Sequence, residues 1–226
     1  MNAAWFPLFR YQASSGGGGP LAGCSLPGCA IEALLNRSSR RLAGGSAGGR
    51  VKLRSIVVLR LGQRYVRDDR TLTHLCLVSR ALGAESIYLE DAEKDVTATL
   101  DGVNKTWGGE FKALLGVPWR RVIQDAKKEG RSVVHLTMYG TPIQDAAPRL
   151  RSLDKILIVV GGPKVPGRVY HEADFNVAVT SQPHSEVAAL AIALHEIQSG
   201  EELKRTFQKS RLRILPSARG KRVVEN

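Results

Sequence analysis

The sequence predicts one α/β domain in which a parallel sheet carries helices on both faces, and three observations support that prediction. Short β-branched strands alternate with helical segments from residue 56 onward. The chain has 226 residues, 43% of them hydrophobic, which is enough for one substantial core. Its apolar runs all fall short of the roughly 18 residues that a membrane-spanning helix requires, so we expect no membrane contact.

The first half of the domain follows a strand–helix alternation. IVVLRL (56–61) is β-branched and predicts a strand, and THLCLVSRALGA (73–84) predicts a helix that Gly83 ends. The remaining elements are a strand SIYLE (86–90), a helical stretch from about 95 to 105, and a strand FKALL (111–115).

The second half keeps the alternation until one connection departs from it. Pro118 opens a helix to about Glu129, and a short helix near Pro142 separates two further strands. A parallel crossover usually contains a helix, yet residues 161–174 hold three Gly and two Pro and cannot form much of one. The strands of this half are SVVHLTM (132–138), KILIVV (155–160) and FNVAV (175–179), and an alanine-rich helix follows the last of them.

Three predicted strands end in unusual loops. They are 139–142 (YGTP), 161–166 (GGPKVP) and 180–185 (TSQPHS), and each supplies Gly or Pro that turns the backbone tightly. Ligands of open parallel sheets bind beyond the carboxyl ends of the strands. The sequence therefore predicts a ligand site formed by these loops, although each loop alone is also compatible with an ordinary turn.

The spacing of the glycines and cysteines argues against several types of site. The Gly-rich fingerprints of phosphate loops and of dinucleotide-binding folds are missing, which weakens the nucleotide hydrolase and the dehydrogenase hypotheses. Cys24, Cys29 and Cys76 are too few and too scattered for a disulfide framework, and no His completes a zinc site beside the first two. We expect free thiols and no metal.

The charge is concentrated at the two ends of the chain. The net charge is +12; residues 1–50 contribute +4, residues 51–200 contribute +3, and residues 201–226, with eight basic and three acidic side chains, contribute +5. The first segment contains SSGGGGPLAG and AGGSAGG, so we interpret 1–50 as a low-complexity extension, disordered or spurious. The C-terminal segment is a basic tail, either a solvated end or a contact for a polyanion.

Arginines cluster after the first strand. Arg60, Arg64, Arg67 and Arg70 could grip phosphates, or pair with the nearby Asp68 and Asp69. Arg80 interrupts an otherwise apolar helix, where a rim position is the simpler explanation.

Four separated motifs carry a family resemblance. LRLGQRYVRDDRTLTHLCLVSRALGA (59–84), HLTMYG (135–140), GGPKVP (161–166) and NVAVTSQPHSEVAALA (176–191) resemble the archaeal tRNA cytidine 2′-O-methyltransferases of the SPOUT superfamily. The likeness covers about 52–200, the predicted SPOUT domain being 51–200. It implies S-adenosylmethionine-dependent methylation of the ribose of cytidine 56 in the T-loop of tRNA, in a cytoplasmic homodimer that the alanine-rich helix helps to form.

The resemblance also implies a deep trefoil knot whose three loops bind the cofactor. Its implied contacts are Leu136, Tyr139 and Gly140; Gly161, Gly162, Pro163, Lys164 and Val165; and Val179, Thr180, Ser181, Gln182, Pro183, His184, Ser185 and Glu186. An acidic residue is expected where Pro163 stands, which leaves the contacts of that loop open.

Catalytic roles follow from the same resemblance. Related enzymes place an Arg six residues after an Asn; here Arg80 follows His74 at that spacing. Arg80 is therefore the predicted stabiliser of the developing 2′-alkoxide, with His184 or His74 as the base. His74 joins the arginines 60, 64, 67 and 70 in the predicted RNA-binding set. The alternatives are another target nucleotide in RNA, a non-catalytic RNA-binding protein and, third, a Rossmann-type dehydrogenase.

Overall fold

A six-stranded, fully parallel sheet runs through the domain, with the strand order β3-β2-β1-β5-β4-β6. The structure, a computed structural model, describes residues 54–62, 69–90, 95–162 and 164–226. The predicted extension over 1–50 lies outside the described residues. The strands are β1 (Ser55–Leu61), β2 (Ser86–Leu89), β3 (Lys112–Leu115), β4 (Ser132–Pro142), β5 (Lys155–Gly161) and β6 (Phe175–Ala178).

Helices cover both faces of the sheet, which confirms the predicted α/β class. They are α1 (Asp69–Ala81), α2 (Asp95–Trp107), α3 (Trp119–Lys128), α4 (Ile143–Leu150), α5 (Gly167–Glu172) and α6 (Glu186–Gln198). Apolar residues of α1, α2, α4 and α6 pack in one core with one face of the sheet. Apolar residues of α3 and α5 pack in a second core with the other face.

The central strands are apolar on both faces because both faces are covered. In β1, Ile56 and Val58 enter the first core, while Val57 and Leu59 enter the second. The neighbouring β5 is buried in the same manner from Ile156 to Val160. Such continuous apolar runs are what strands buried on both faces require, and they explain why these strands were predictable.

Strand β4 is longer than predicted and pairs with β6 twice. Val134–Leu136 pair with Phe175–Val177, and after a register shift Thr141 and Pro142 pair with Val177 and Ala178. Residues 137–140 therefore bulge out between two stretches of pairing. Among the described residues of the helix-poor connection 161–174, the helical ones are the six of α5, which begins after Pro166.

The basic C-terminal segment, predicted as a tail, is folded onto the domain. A 3-10 helix (Glu201–Lys204) leads to an antiparallel hairpin of β7 (Leu212–Ile214) and β8 (Val223–Glu225). Glu202 is buried, and one of its carboxylate oxygens lies 2.7 Å from Nδ1 of His195 on α6. In the described part of the chain, every helix is too short or too polar to cross a membrane.

Candidate functional site

A cavity of about 360 Å³ lies where β4, β5 and β6 end. Two strand-exit loops, the start of α6 and one residue of α5 surround it, so it occupies the position expected for a ligand in a parallel sheet. Its lining residues are His135, Leu136, Thr137, Met138, Tyr139, Val160, Gly161, Gly162, Lys164, Val165, Tyr170, His184, Glu186 and Ala189.

Half of the predicted cofactor contacts line this cavity. They are Leu136, Tyr139, Gly161, Gly162, Lys164, Val165, His184 and Glu186. The others that the structure describes stand beside it in the same loops without lining it: Gly140, Val179, Thr180, Ser181, Gln182, Pro183 and Ser185. Pro163 lies outside the described residues, so its effect on that loop stays a prediction.

Gly140 marks a close crossing of two chain segments. A Cβ atom added there would lie 2.5 Å from the backbone of Asn176 and Val177 in β6. No side chain fits at that distance, and backbone atoms cannot move aside as a flexible side chain would. The bulge of β4 therefore depends on glycine to pass against β6.

Glycines also bring the exit loop of β5 close to its neighbours. An added Cβ at Gly161 would collide with the side chain of Val165, which folds back over it. At Gly162 an added Cβ would lie 3.5 Å from Oε1 of Glu186. The short distance at Gly162 shows that the β5 loop lies against the first turn of α6.

The polar loop after β6 has a structural role as well as a place at the cavity. Ser185 caps α6, its Oγ accepting a hydrogen bond from the N–H of Ala188 at 3.0 Å. Thr180 Oγ1 accepts one from the N–H of Gln182 at 3.2 Å. His184 and Glu186 are left to face the cavity, so only part of the polar stretch is available to a ligand.

Arg60 is not the surface phosphate contact that the sequence predicted. Its side chain is 2% exposed, and Nε donates to Oε2 of Glu186 at 3.2 Å. A buried guanidinium needs such a partner, because removing a charge from water is costly. The pair lies near Cys76, whose pKa burial raises to about 12 although the charge of Arg60 opposes the rise. Arg60 thus supports a carboxylate of the cavity from beneath.

Arg80 lies at the opposite end of the sheet from the cavity. Helix α1 follows β1 and runs back toward the amino ends of the strands, where the N–H of Glu85 bonds to the carbonyl of Ile56. Arg80 is in its last turn and 7% exposed.

The partners of Arg80 are structural. Nε donates to Oδ1 of Asn104 at 3.0 Å, an Nη2 hydrogen bond reaches the carbonyl of Gly108, and the ring of Phe207 lies 4.3 Å from the guanidinium carbon. Burial lowers the pKa of Arg80, and the group stays protonated at neutral pH. Arg80 thus stands away from the cavity of its own chain and contacts the C-terminal segment through Phe207, and its predicted catalytic role stays a prediction.

Of the other predicted RNA contacts, the structure describes two and leaves two outside the described residues. Arg70 and His74 are exposed in the first half of α1, near the carboxyl edge of the sheet. Arg64 and Arg67 lie outside the described residues, so their role stays a prediction.

A polar group inside the cavity wall was missed by sequence analysis. Nδ1 of His135 lies 2.9 Å from Oδ1 of Asn176, and the hydroxyls of Thr137 and Tyr170 are 3.0 Å apart. A histidine in the middle of the strand SVVHLTM was the available signal, because a buried polar residue needs a partner. Among the described residues there is no group of three or more potential ligands that could hold a metal ion.

Comparison with known sequences identifies the family. A family model for tRNA ribose 2′-O-methyltransferase, aTrm56, matches residues 107–224. A tRNA (cytidine(56)-2′-O)-methyltransferase of Nitrosopumilus maritimus is 47% identical over 168 residues, covering 74% of this chain and 95% of that protein. One from Thermofilum pendens is 51% identical over 174 residues, covering 76% and 96%. The chain belongs to the tRNA ribose 2′-O-methyltransferase family. The family resemblance predicted from the four motifs is confirmed.

A solved structure has a fold similar to that of this chain. An RNA 2′-O ribose methyltransferase superposes with a TM-score of 0.52 at 17% identity, covering 72% of this chain and 61% of that one. Identity at this level supports the fold alone. The six-stranded parallel sheet flanked by helices is thus shared with a ribose methyltransferase.

Proposed function

We propose that this chain transfers the methyl group of S-adenosylmethionine to the ribose 2′-oxygen of cytidine 56 in the T-loop of tRNA. The observation that carries the proposal is the near-complete coverage, 95–96%, of relatives named for this reaction at 47–51% identity. The cavity at the strand ends supports it by supplying a ligand site where this fold class places one.

The cavity fits S-adenosylmethionine by size and by chemistry. Its volume of about 360 Å³ lies in the range of small-molecule pockets. The carboxylate of Glu186 is suited to an ammonium or a ribose hydroxyl, and Gly162 allows backbone to approach a ligand closely. We assign cofactor binding to the three predicted loops, with Lys164 and His184 at the cavity wall.

The three loops support the deep trefoil knot of the superfamily. Pairing of β4 with β6 before and after a bulge makes the two segments cross in contact, and Gly140 leaves no space between them. General topology rules treat knots as essentially absent, so this inference depends on the family together with that crossing.

The residues at the cavity provide the parts that methyl transfer needs. The bound cofactor would supply an electrophilic methyl group on a sulfonium and would leave as S-adenosylhomocysteine, so the residues of this chain would have to take up the proton of the ribose 2′-hydroxyl. We assign that proton to His184, an exposed imidazole at the cavity wall. The ammonium of Lys164, on the neighbouring loop, takes over from Arg80 as the group that stabilises negative charge on the 2′-oxygen.

We place tRNA across the edge of the sheet that carries Arg70 and His74. Both are exposed and near the start of α1, so phosphates on either side of the target nucleotide can reach them. A homodimer is supported by α6, where Ile192 is 44% exposed and Ala188, one turn earlier, is exposed too. The cytoplasmic location stays a prediction.

The experiment measures methyl transfer from labelled S-adenosylmethionine to an unmodified tRNA transcript and to the same transcript with 2′-deoxycytidine at position 56. Label in the first alone supports enzyme, nucleotide and atom together. Equal label in both moves the target to another nucleotide. Bound tRNA without any label would favour the RNA-binding protein over the enzyme.

Two histidine variants test the base. We expect His184→Ala to lower the rate by about 100-fold or more and His74→Ala to leave the chemical step unchanged at saturating tRNA. The reverse pattern would assign the proton to His74.

A further inference from the structure

His135 is buried at the floor of the cavity. It lies in β4 between β5 and β6, where it pairs with Val159 on one side and Asn176 on the other. Its side chain is 0% exposed, and its ring meets that of Tyr170 edge to face, with centroids 4.6 Å apart. The packing leaves the imidazole little freedom to turn.

The hydrogen bonds around His135 determine which nitrogen carries the proton. The side-chain amide of Asn176 donates through Nδ2 to the carbonyl oxygen of Tyr170 at 2.9 Å. A carbonyl oxygen can only accept, so the amide is oriented with Oδ1 toward the imidazole. Because Oδ1 is also an acceptor, Nδ1 of His135 must be the protonated nitrogen at 2.9 Å. Nε2 is then an acceptor.

Nε2 of His135 has no hydrogen-bond partner among the described residues. The nearby hydroxyls of Thr137 and Tyr170 bond to each other. Burial lowers the pKa of His135, so the ring stays neutral near pH 7 and Nε2 keeps its lone pair. A buried acceptor without a donor is rare in native proteins and calls for an explanation.

The surroundings of His135 favour a flat, weakly polar donor. The ring of Tyr170 packs against it and aliphatic side chains such as Val165 line the same cavity, whereas the carboxylate of Glu186 is the stronger partner for a charged ammonium or for hydroxyls. An exocyclic amine on a heteroaromatic ring combines N–H donors with apolar faces. We propose that Nε2 of His135 accepts a hydrogen bond from the exocyclic amine of the adenine of the methyl donor.

This assignment depends on the proposed function and makes His135 a specificity residue for the base of the cofactor. Nε2 is shielded from solvent, so the proposed bond requires neighbouring side chains to move when the ligand binds. A ring with a carbonyl oxygen in place of the amine would place an acceptor opposite the acceptor Nε2. It would bind more weakly, because the buried Nε2 would stay without a hydrogen-bond donor.

The test is a calorimetric comparison of two products on the full chain. S-adenosylhomocysteine carries the amine, and S-inosylhomocysteine has a carbonyl oxygen there. We expect the wild type to prefer the first by about tenfold or more, and His135→Phe to bring the ratio close to one. The matched control is Thr137→Val, which removes one hydroxyl of the neighbouring pair and should keep the wild-type ratio.

Each outcome decides a separate point. No binding of S-adenosylhomocysteine to the wild type would overturn the proposed function itself. Binding without preference, or a preference that survives in His135→Phe, would overturn only the role of His135. If the variant instead loses its sensitivity to removal of a ribose hydroxyl from the ligand, the donor is the sugar and the proposal fails.

A measurement on the wild type covers the case in which His135→Phe does not fold. With ¹⁵N-labelled histidine, the Nε2 resonance of His135 should shift when S-adenosylhomocysteine binds and should not make that shift with S-inosylhomocysteine. An unchanged Nε2 resonance at saturating S-adenosylhomocysteine would refute the hydrogen bond.

Discussion

Replacing Arg80 by alanine separates a structural role from a catalytic one. The side chain makes two hydrogen bonds, to Oδ1 of Asn104 and to the carbonyl of Gly108, and packs on Phe207. A hydrogen bond to a charged group is worth about 1.5–3 kcal/mol and a desolvated cation–π contact about 1–2 kcal/mol. These values are not additive, so we expect Arg80→Ala to lower the free energy of unfolding by about 3–5 kcal/mol.

Urea unfolding and limited proteolysis measure the effect. With a slope of about 2 kcal/mol per molar urea, a loss of 3 kcal/mol lowers the midpoint by about 1.5 M. Trypsin should also cut the segment 205–226 sooner, because Phe207 has lost the guanidinium on which it packs. Arg80→Lys is the matched control: it keeps the charge but not the planar fork, so its loss should be intermediate.

The opposite pattern would refute the structural role of Arg80. Suppose that the free energy of unfolding of Arg80→Ala is within 1 kcal/mol of the wild type and that trypsin cuts its C-terminal segment no faster. If this variant nevertheless loses methyl transfer, the side chain has a catalytic role. It would then have to act on a cavity other than that of its own chain, because α1 holds it at the far end of the sheet.

Four further predictions test other parts of the structure. Gly140→Ala should fail to reach the wild-type thermal midpoint, since its Cβ would meet the backbone of β6 at 2.5 Å; an unchanged midpoint would show that the crossing is looser. If Arg60 supports Glu186, Arg60→Met should lower the binding free energy of S-adenosylhomocysteine by more than it lowers the free energy of unfolding. Glu186→Gln should weaken binding of the same ligand without unfolding the chain. In a Cys24→Ser, Cys29→Ser chain, the remaining thiol of Cys76, its pKa raised to about 12, should react with a thiol reagent at pH 8 only after denaturation. Replacing the exposed hairpin cations by glutamine should reduce the salt dependence of tRNA affinity, and an unchanged slope would exclude phosphate contacts there; the positions are Arg211, Arg213, Arg219, Lys221 and Arg222.

Local patterns predicted the fold better than the site. The predicted ends of β1 and β5 differ from the observed ones by at most one residue, because a strand buried on both faces requires a continuous apolar run. The extension of β4 to Pro142 was missed, since Gly140 and Pro142 are typical of a loop and only pairing with β6 makes them part of a strand.

Long-range pairing explains the errors at the charged residues. Arg60 was assigned to the surface because charged side chains are rarely buried without a partner, and its partner Glu186 lies 126 residues away. Arg80 was assigned to chemistry by its spacing from His74, but Phe207 belongs to a segment predicted as a tail. His135 lay inside a correctly predicted strand, where sequence does not reveal that Nε2 lacks a donor. Half of the predicted cofactor contacts line the cavity, because loops at strand ends converge in any parallel sheet, and their contact with the cofactor stays a prediction.

Phe207 and Gln208, which lead into the hairpin, lie at the end of the sheet opposite the cavity, and that separation limits how one tRNA can use both. Helix α1 spans 13 residues, about 20 Å, between the edge that carries Arg70 and the end where Arg80 meets the C-terminal segment. We therefore expect a nucleotide whose ribose reaches the cavity to lie away from the hairpin of the same chain. Any phosphate contact made by the hairpin must fall on a distant part of the tRNA, or on a tRNA bound to a second copy. Losing the hairpin cations should consequently weaken affinity for whole tRNA while leaving affinity for an isolated T-arm stem-loop unchanged, and an equal loss for both would place the hairpin beside the target nucleotide.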